Sequence, residues 1–178
     1  MRERADEGPK TEVTTLKHLE TAYPDIPALK DLRDWVDSDG RYFMLQGRVY
    51  GQTLEQTWSS LSESQKRDIA DQVVEVRKKL RSITSTAIQG VAAADGSPCY
   101  PALLFSDGEP HGPFHSDREL WDALSRTLHD PPRRTFPQRA LENLQKRMPK
   151  CQPYLLTHCD LFLGNIIIRD GRLAGILD

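Results

Sequence analysis

Residues 157–178 read Thr157-His158-Cys159-Asp160-Leu161-Phe162-Leu163-Gly164-Asn165, then Ile166-Ile167-Ile168-Arg169-Asp170-Gly171-Arg172-Leu173-Ala174-Gly175-Ile176-Leu177-Asp178. Asp170-Gly171 between two apolar runs is the strongest short hairpin signal in the chain, because a two-residue turn of the hairpin type needs positive φ at both central positions. With that turn Arg169 faces Arg172. Counting outward sets Asn165 opposite Ile176 and Leu163 opposite Asp178, so Asn165 and Asp178 become diagonal neighbours on one face. Diagonal cross-strand positions lie about 7–8 Å apart, close enough for a short amide and a carboxylate to converge on one cation. Two oxygen donors of this kind suit Mg2+, which keeps several waters and takes other ligands from substrate phosphates. Asp160, on the loop entering the hairpin, is placed to accept a proton from a hydroxyl near that ion. The layout is that of phosphoryl transfer.

The rest of the 178-residue chain narrows the alternatives. Lys and Arg total 24 against 26 Asp and Glu, a net charge of −2, so the basic excess that neutralises nucleic-acid phosphates is missing. Mean hydropathy is −0.58 and no apolar run approaches the roughly 20 residues of a membrane span. The charged start, Met1 to Lys10, lacks the apolar stretch of a secretory signal. Cys99, Cys151 and Cys159 form no Cys-x-x-Cys pair and fit a reducing compartment, so the expected location is the cytoplasm, with neither nucleic acid nor membrane as partner.

Upstream, Val13, Leu16 and Leu19 recur at helical spacing from Thr11 to Ala22, before Pro24 and Pro27 forbid continuation. Asp31 to Asp37 and Arg41 to Leu45 flank Ser38-Asp39-Gly40 and read as a β-hairpin. Gln46 to Trp58 has little periodicity and reads as a connector. Ser62 with Gln65 forms a capping box opening a long helix whose stripe is Ile69, Val73, Val76, Leu80 and Ile83. Thr84 to His115 reads as a long loop. Ser116 with Glu119 opens a second capped helix with Leu120, Trp121, Leu124 and Leu128 on its apolar face, stopped by Pro131-Pro132. A helix over Pro137 to Arg147 and a strand over Tyr154 to Thr157 precede the terminal hairpin. Trp35, Trp58 and Trp121 are assigned to the core.

The pattern His-x-Asp-x-x-x-x-Asn with a later Asp matches the catalytic loop and metal-binding aspartate of kinase-type enzymes. The wording from Leu156 to Asp178 resembles the aminoglycoside phosphotransferase-like family, especially its fungal members, in which the motif reads Thr-His-Gly-Asp and the second Asp ends an Ile-Asp pair. Tyr42 to Trp58 is similar to that family's hinge, which ends in Gly-x-x-Leu as Gly51 to Leu54 do here. The resemblance implies an α+β, protein-kinase-like fold present in part. Residues 1–46 would be the remnant of the small lobe, 47–58 the hinge, and 59–178 the first part of the helical large lobe with its catalytic-loop hairpin.

It also implies ATP-dependent phosphorylation of a small-molecule hydroxyl. Asp160 would be the base and Asn165 and Asp178 the Mg2+ ligands. The backbone of Gly47 and Val49 would read adenine, and Glu12 would pair with a strand lysine that holds the ATP phosphates. His158 would orient the loop by hydrogen bonds. Cys159 stands where the family has glycine, and Phe162 where a polar residue is common. No glycine-rich loop or strand lysine precedes Glu12, and the chain ends at Asp178, so the expectation is an internal piece of a longer enzyme. Two other readings compete. One is a catalytically inactive kinase-like fragment or interaction module. The other is a metallohydrolase in which His158, Asp160 and Asp178 hold zinc, a reading that lacks further ligands at metal spacing.

Overall fold

The computed structural model describes residues 11–89, 111–130 and 134–177. It divides into two compact units, residues 1–83 with 155–178, and residues 84–154.

The first unit opens with α1 (Thr11–Ala22), whose Val13, Leu16 and Leu19 turn inward as the spacing requires. A hairpin follows, β1 (Arg33–Val36) with β2 (Tyr42–Leu45), in the register Arg33↔Leu45 to Val36↔Tyr42. The connector expected over Gln46 to Trp58 is more ordered than its lack of periodicity implies. It contains β3 (Gln52–Thr53), α2 (Leu54–Thr57) and a single 3-10 turn (Trp58–Ser60). Thr53 and Gln56 form a reciprocal capping box that starts α2 at once. The T-x-x-Q spelling is the signal, overlooked because α2 is one turn long.

Next, α3 (Glu63–Ser82) begins at Ser62, whose N–H donates to Gln65 Oε1 at 2.9 Å while its Oγ accepts from Gln65 N at 3.3 Å. Ile69, Val76 and Leu80 are its buried stripe. Prolonged burial of that stripe, more than helix propensity, holds a helix of this length in place.

The second unit keeps its own core. It runs from β4 (Thr84–Ser85) through α4 (Asp117–Leu128), a short β5 (His129–Asp130) paired with β6 (Arg134–Thr135), and α5 (Gln138–Arg147), and ends at Tyr154, the first residue of β7 (Tyr154–Leu155). Glu119 N donates to Ser116 Oγ at 3.2 Å, as the capping box requires, but the Glu119 carboxylate accepts from His115 N instead of Ser116 N. Leu120 packs with Phe114, flanked by Ile88, Leu124 and Met148. Ile88 and Phe114 exchange backbone hydrogen bonds at 2.8 and 2.9 Å, so the segment expected to be a plain loop is paired near its ends. Most of that loop and the Pro131-Pro132 stop lie outside the described residues.

The chain closes the first unit with β8 (Ile166–Arg169) and β9 (Arg172–Ile176). Here β8 is the middle strand of a three-stranded antiparallel sheet, between β3 and β9. All three isoleucines of β8 are buried, which explains an apolar run with no alternation. Two clusters fill the core. Leu54, Ile69, Ile166 and Ile168 form one, Leu19, Ile26, Val76, Leu80 and Ile176 the other, and Leu161 and Leu173 pack against both.

The assignment of Trp35 and Trp58 to the core is corrected. Trp35 is 47% exposed and stacks on Phe43 across the hairpin, and Trp58 is 39% exposed beneath the Lys66 ammonium. Both find their partner at the surface, where an aromatic ring contributes through stacking and cation–π contact. Among the described residues no helix is long and apolar enough to cross a membrane.

Candidate active site

The terminal hairpin turns as read, with Asp170 at φ 53° and Gly171 at φ 74° and Arg169 facing Arg172. Its register then departs from simple counting. Ile168 faces Leu173, but Ile167 faces Gly175, so Ala174 is an extra residue on β9, a β-bulge. Ile176 therefore lies opposite Ile166, and Leu177 N donates to Asn165 O at 2.8 Å. The expected pairing of Asn165 with Ile176 is off by that one residue. Gln72 Oε1, reaching from α3, accepts from Leu173 N at 3.0 Å beside the bulge.

Leu161 anchors the loop ahead of the hairpin in both core clusters, and a 3-10 turn over Leu163–Asn165 delivers Asn165 to the strand. Asn165 is the buried polar side chain among the described residues, 6% exposed. Its Nδ2 donates to Asp160 O at 3.0 Å and to Asp160 Oδ2 at 3.2 Å. That engagement fixes which end of the amide is nitrogen. It leaves Oδ1, a hard oxygen donor, as the atom free to ligate a cation.

Asp160 is exposed, so its carboxylate is open to a substrate on the side away from Asn165. Asp178, the other expected ligand, lies outside the described residues. An amide oxygen with a carboxylate is a donor set that fits Mg2+, with phosphates and water completing six positions. Among the described residues no three His, Cys, Asp or Glu side chains converge on a metal position.

His158 clamps the two ends of the site. Its Nε2 lies 3.0 Å from Leu177 O, and its Nδ1 accepts from Asp160 N at 3.4 Å. A carbonyl only accepts, so Nε2 carries the proton and Nδ1 supplies the lone pair. Both ring nitrogens are engaged by the backbone, as expected of a histidine that orients the loop. Leu177 is thus held through its N–H by Asn165 and through its carbonyl by His158. Such a backbone role leaves no mark on residue type, and only the bulged register exposes it.

Cys159 sits between His158 and Asp160 at φ 67°, in the left-handed region. The loop keeps the backbone that glycine would adopt without strain, and a side chain bears the cost. Cys159→Gly relieves about 1–2 kcal/mol of strain and adds about 0.5–1 kcal/mol of unfolded-chain entropy. A net stabilisation of about 0.5–1 kcal/mol is expected, read as a Tm higher by roughly 1–4 °C. An unchanged or lower Tm would show that the thiol, which lies 3.5 Å from Thr157 O, contributes more than its strain costs.

The residues assigned to nucleotide binding occupy other parts of the same unit. Gly47 N donates to Lys30 O at 2.9 Å, so of its two backbone groups the carbonyl is the one left for a base. The Val49 side chain lies against β9, where a Cβ on Gly175 would fall 2.9 Å from Val49 Cγ1. Glu12 is in the first turn of α1. Burial, the charge of Asp34 and a hydrogen bond to it, and then the charge of Glu12 push the Tyr42 phenol above its usual pKa. Asp34 in turn takes the Lys17 ammonium at 2.7 Å, which ties α1 to β1.

Comparison with known proteins bears on the fold and the family. Among curated proteins none matches the chain in sequence. A solved structure of a thermostable mutant of aminoglycoside phosphotransferase APH(4)-Ia, in its apo form, superposes with a TM-score of 0.58 at 16% identity, covering 94% of this chain and 55% of that one. A ternary complex of a thermostable mutant of the same protein with AMP-PNP and hygromycin B gives 0.58 at 15% identity, with the same coverage. The chain therefore spans about half the length of these solved relatives, and the likeness shows the expected α+β, protein-kinase-like fold. The model of the phosphotransferase enzyme family matches residues 2–178, and the chain belongs to that family.

Proposed function

We propose that the protein carrying this chain transfers the γ-phosphoryl group of ATP to a hydroxyl of a small molecule. The observation that carries the reading is the clasp of the buried Asn165 amide on Asp160. It sets a carboxylate and a ligating amide oxygen side by side, on a loop pinned at both ends. Asp160 accepts the acceptor's proton as the hydroxyl oxygen bonds to the γ-phosphorus and the bond to the departing ADP oxygen breaks. Asn165 and Asp178 would hold Mg2+, whose charge, when bound, offsets that on the phosphate oxygens. Gly47 and Val49 would contribute backbone groups to adenine, and Glu12 would hold a phosphate-binding lysine. In this reading residues 1–46 close the small lobe, 47–58 form the hinge and 59–178 begin the large lobe. The exposed thiol of Cys159 suits a reducing, cytoplasmic setting.

Two facts support the reading beyond the site itself. The chain's family is one of phosphotransferases, and the solved relative was captured with AMP-PNP and hygromycin B. The test is calorimetric titration of MgATP into the wild-type protein and into Asn165→Ala and Asp178→Ala. Outer-shell partners of a metal typically change its affinity by about 10- to 100-fold, so loss of a direct ligand should weaken MgATP by at least tenfold in each variant. Equal affinity in all three proteins would remove both ligands from the assignment. No nucleotide binding by the wild-type protein would instead favour a kinase-like module without catalysis.

A further inference from the structure

Phe162 occupies the centre of the loop between Asp160 and Asn165, and its backbone is tied to both. Its N–H donates to Asp160 O at 3.1 Å, and its carbonyl accepts from Asn165 N at 3.0 Å. The ring also has a support. A Cβ on Gly164 would fall 2.5 Å from Phe162 Cε2 and 2.9 Å from Cζ, so one edge of the phenyl group rests on the glycine backbone. The remainder faces solvent, for Phe162 is 51% exposed and its neighbour Leu163 is 37% exposed.

The loop is not apolar because it lacks a core to enter. Leu161, one residue earlier, packs against both core clusters, whereas the next two side chains turn outward. The exposed residues Thr157, Cys159, Asp160, Phe162 and Leu163 include one charge, the carboxylate of Asp160, and no cation. An aromatic side chain has only two rotatable bonds, so one supported along an edge and open on its surface gives apolar contact at little cost in conformational entropy.

We propose that Phe162 determines acceptor specificity, and that the acceptor carries its hydroxyl on a flat apolar body, an aryl alcohol in preference to a polyol. The proposal rests on the reading of Asp160 and Asn165 as the reacting pair. With the ring resting on Gly164, in the loop that joins those two residues, an acceptor lying on it brings its hydroxyl to the loop that bears Asp160. A polyol would instead need hydrogen-bonding partners that Phe162 and Leu163 lack. Covering the open half of a phenyl ring is worth roughly tenfold to fiftyfold in affinity.

Saturation-transfer NMR with 2-phenylethanol and myo-inositol as probes tests the proposal without requiring turnover. The wild-type protein should bind 2-phenylethanol at least about tenfold more tightly than myo-inositol. Phe162→Tyr should keep that affinity, Phe162→Leu should lose part of it, and Phe162→Ser about tenfold or more. The tyrosine and leucine variants preserve the bulk that rests on Gly164, so their ranking stands even if the serine variant fails to fold. Equal binding of the two probes, or a leucine variant equal to wild type, overturns the proposal. Aryl binding that depends on Phe162 in a protein that does not bind MgATP would sink the phosphotransfer reading and leave the aryl site. MgATP binding without aryl preference would do the reverse.

Discussion

Replacing Asp160 with Asn is expected to lower kcat by about 10²- to 10⁴-fold, the usual contribution of a positioned general base, while MgATP affinity changes by less than about twofold. The substitution preserves size, and its amide oxygen can still accept from Asn165 Nδ2, which now lies 3.2 Å from Asp160 Oδ2. The backbone bonds of this residue to His158 and Asn165 are untouched. What disappears is the basic oxygen that takes the acceptor's proton. Steady-state kinetics with MgATP varied at saturating acceptor separates the two parameters. Near-normal kcat in Asp160→Asn would remove Asp160 as base. A large rise in the KM for MgATP would assign the carboxylate to nucleotide binding instead.

The contrast with the Mg2+ ligands makes the pair of assignments falsifiable together. A ligand loss weakens nucleotide binding and rate at once, whereas loss of a base acts on the chemical step alone. Asn165→Ala carries a second consequence, because it also releases Asp160 from the clasp. Its rate should therefore fall further than its MgATP affinity accounts for.

The layout of the candidate site was partly legible in residue types and spacing, because its contacts join side chains close in sequence. His158, Asp160 and Asn165 fall on one loop in the expected order, and Asp170-Gly171 turns the hairpin as its chemistry requires. The helices at Thr11–Ala22 and Glu63–Ser82 follow from apolar periodicity, and Ser62 marks the start of the second. What escaped depends on the backbone or on neighbours distant in sequence. The bulge at Ala174 sits where Gln72 from α3 meets Leu173, a contact across 101 residues that no local pattern encodes. Trp35 and Trp58 were misplaced because aromatic residues stabilise surfaces as well as cores, and only the strand register shows Trp35 opposite Phe43. Phe162 was noticed as a departure, but its exposure could not be read from its type.

Gly51→Ala is expected to destabilise the protein by about 3–4 kcal/mol, near the top of the range for single substitutions, where a named steric cause is required. The cause is a double one. Gly51 sits at φ 150°, a backbone conformation that L side chains rarely adopt, and a Cβ there would collide with the carbonyl oxygen of Ile168. The same atom would lie 2.7 Å from Ile167 Cγ2 and 3.0 Å from the Ile168 carbonyl carbon. Neither obstacle can yield cheaply. Ile167 and Ile168 are buried in the central strand of the sheet, and they pair with Thr53 and Gln52 immediately after the glycine. Relief therefore has to come from parting β3 from β8, which would also move Leu54 out of the core cluster it shares with Ile69, Ile166 and Ile168. Backbone strain of about 1–2 kcal/mol and an overpacking cost of about 1–3 kcal/mol give the expected total. Gly175→Ala provides the comparison. Its new Cβ would meet the Val49 methyl groups at 2.9 and 3.0 Å, and a side chain can shift where a central strand cannot. Thermal unfolding followed by circular dichroism should show a Tm lower by roughly 10 °C for Gly51→Ala and by less than half of that for Gly175→Ala. Equal losses would mean that β8 is mobile enough to move aside. The sheet would then be too pliant to hold Asn165, at its entry, in the fixed position that the clasp on Asp160 requires.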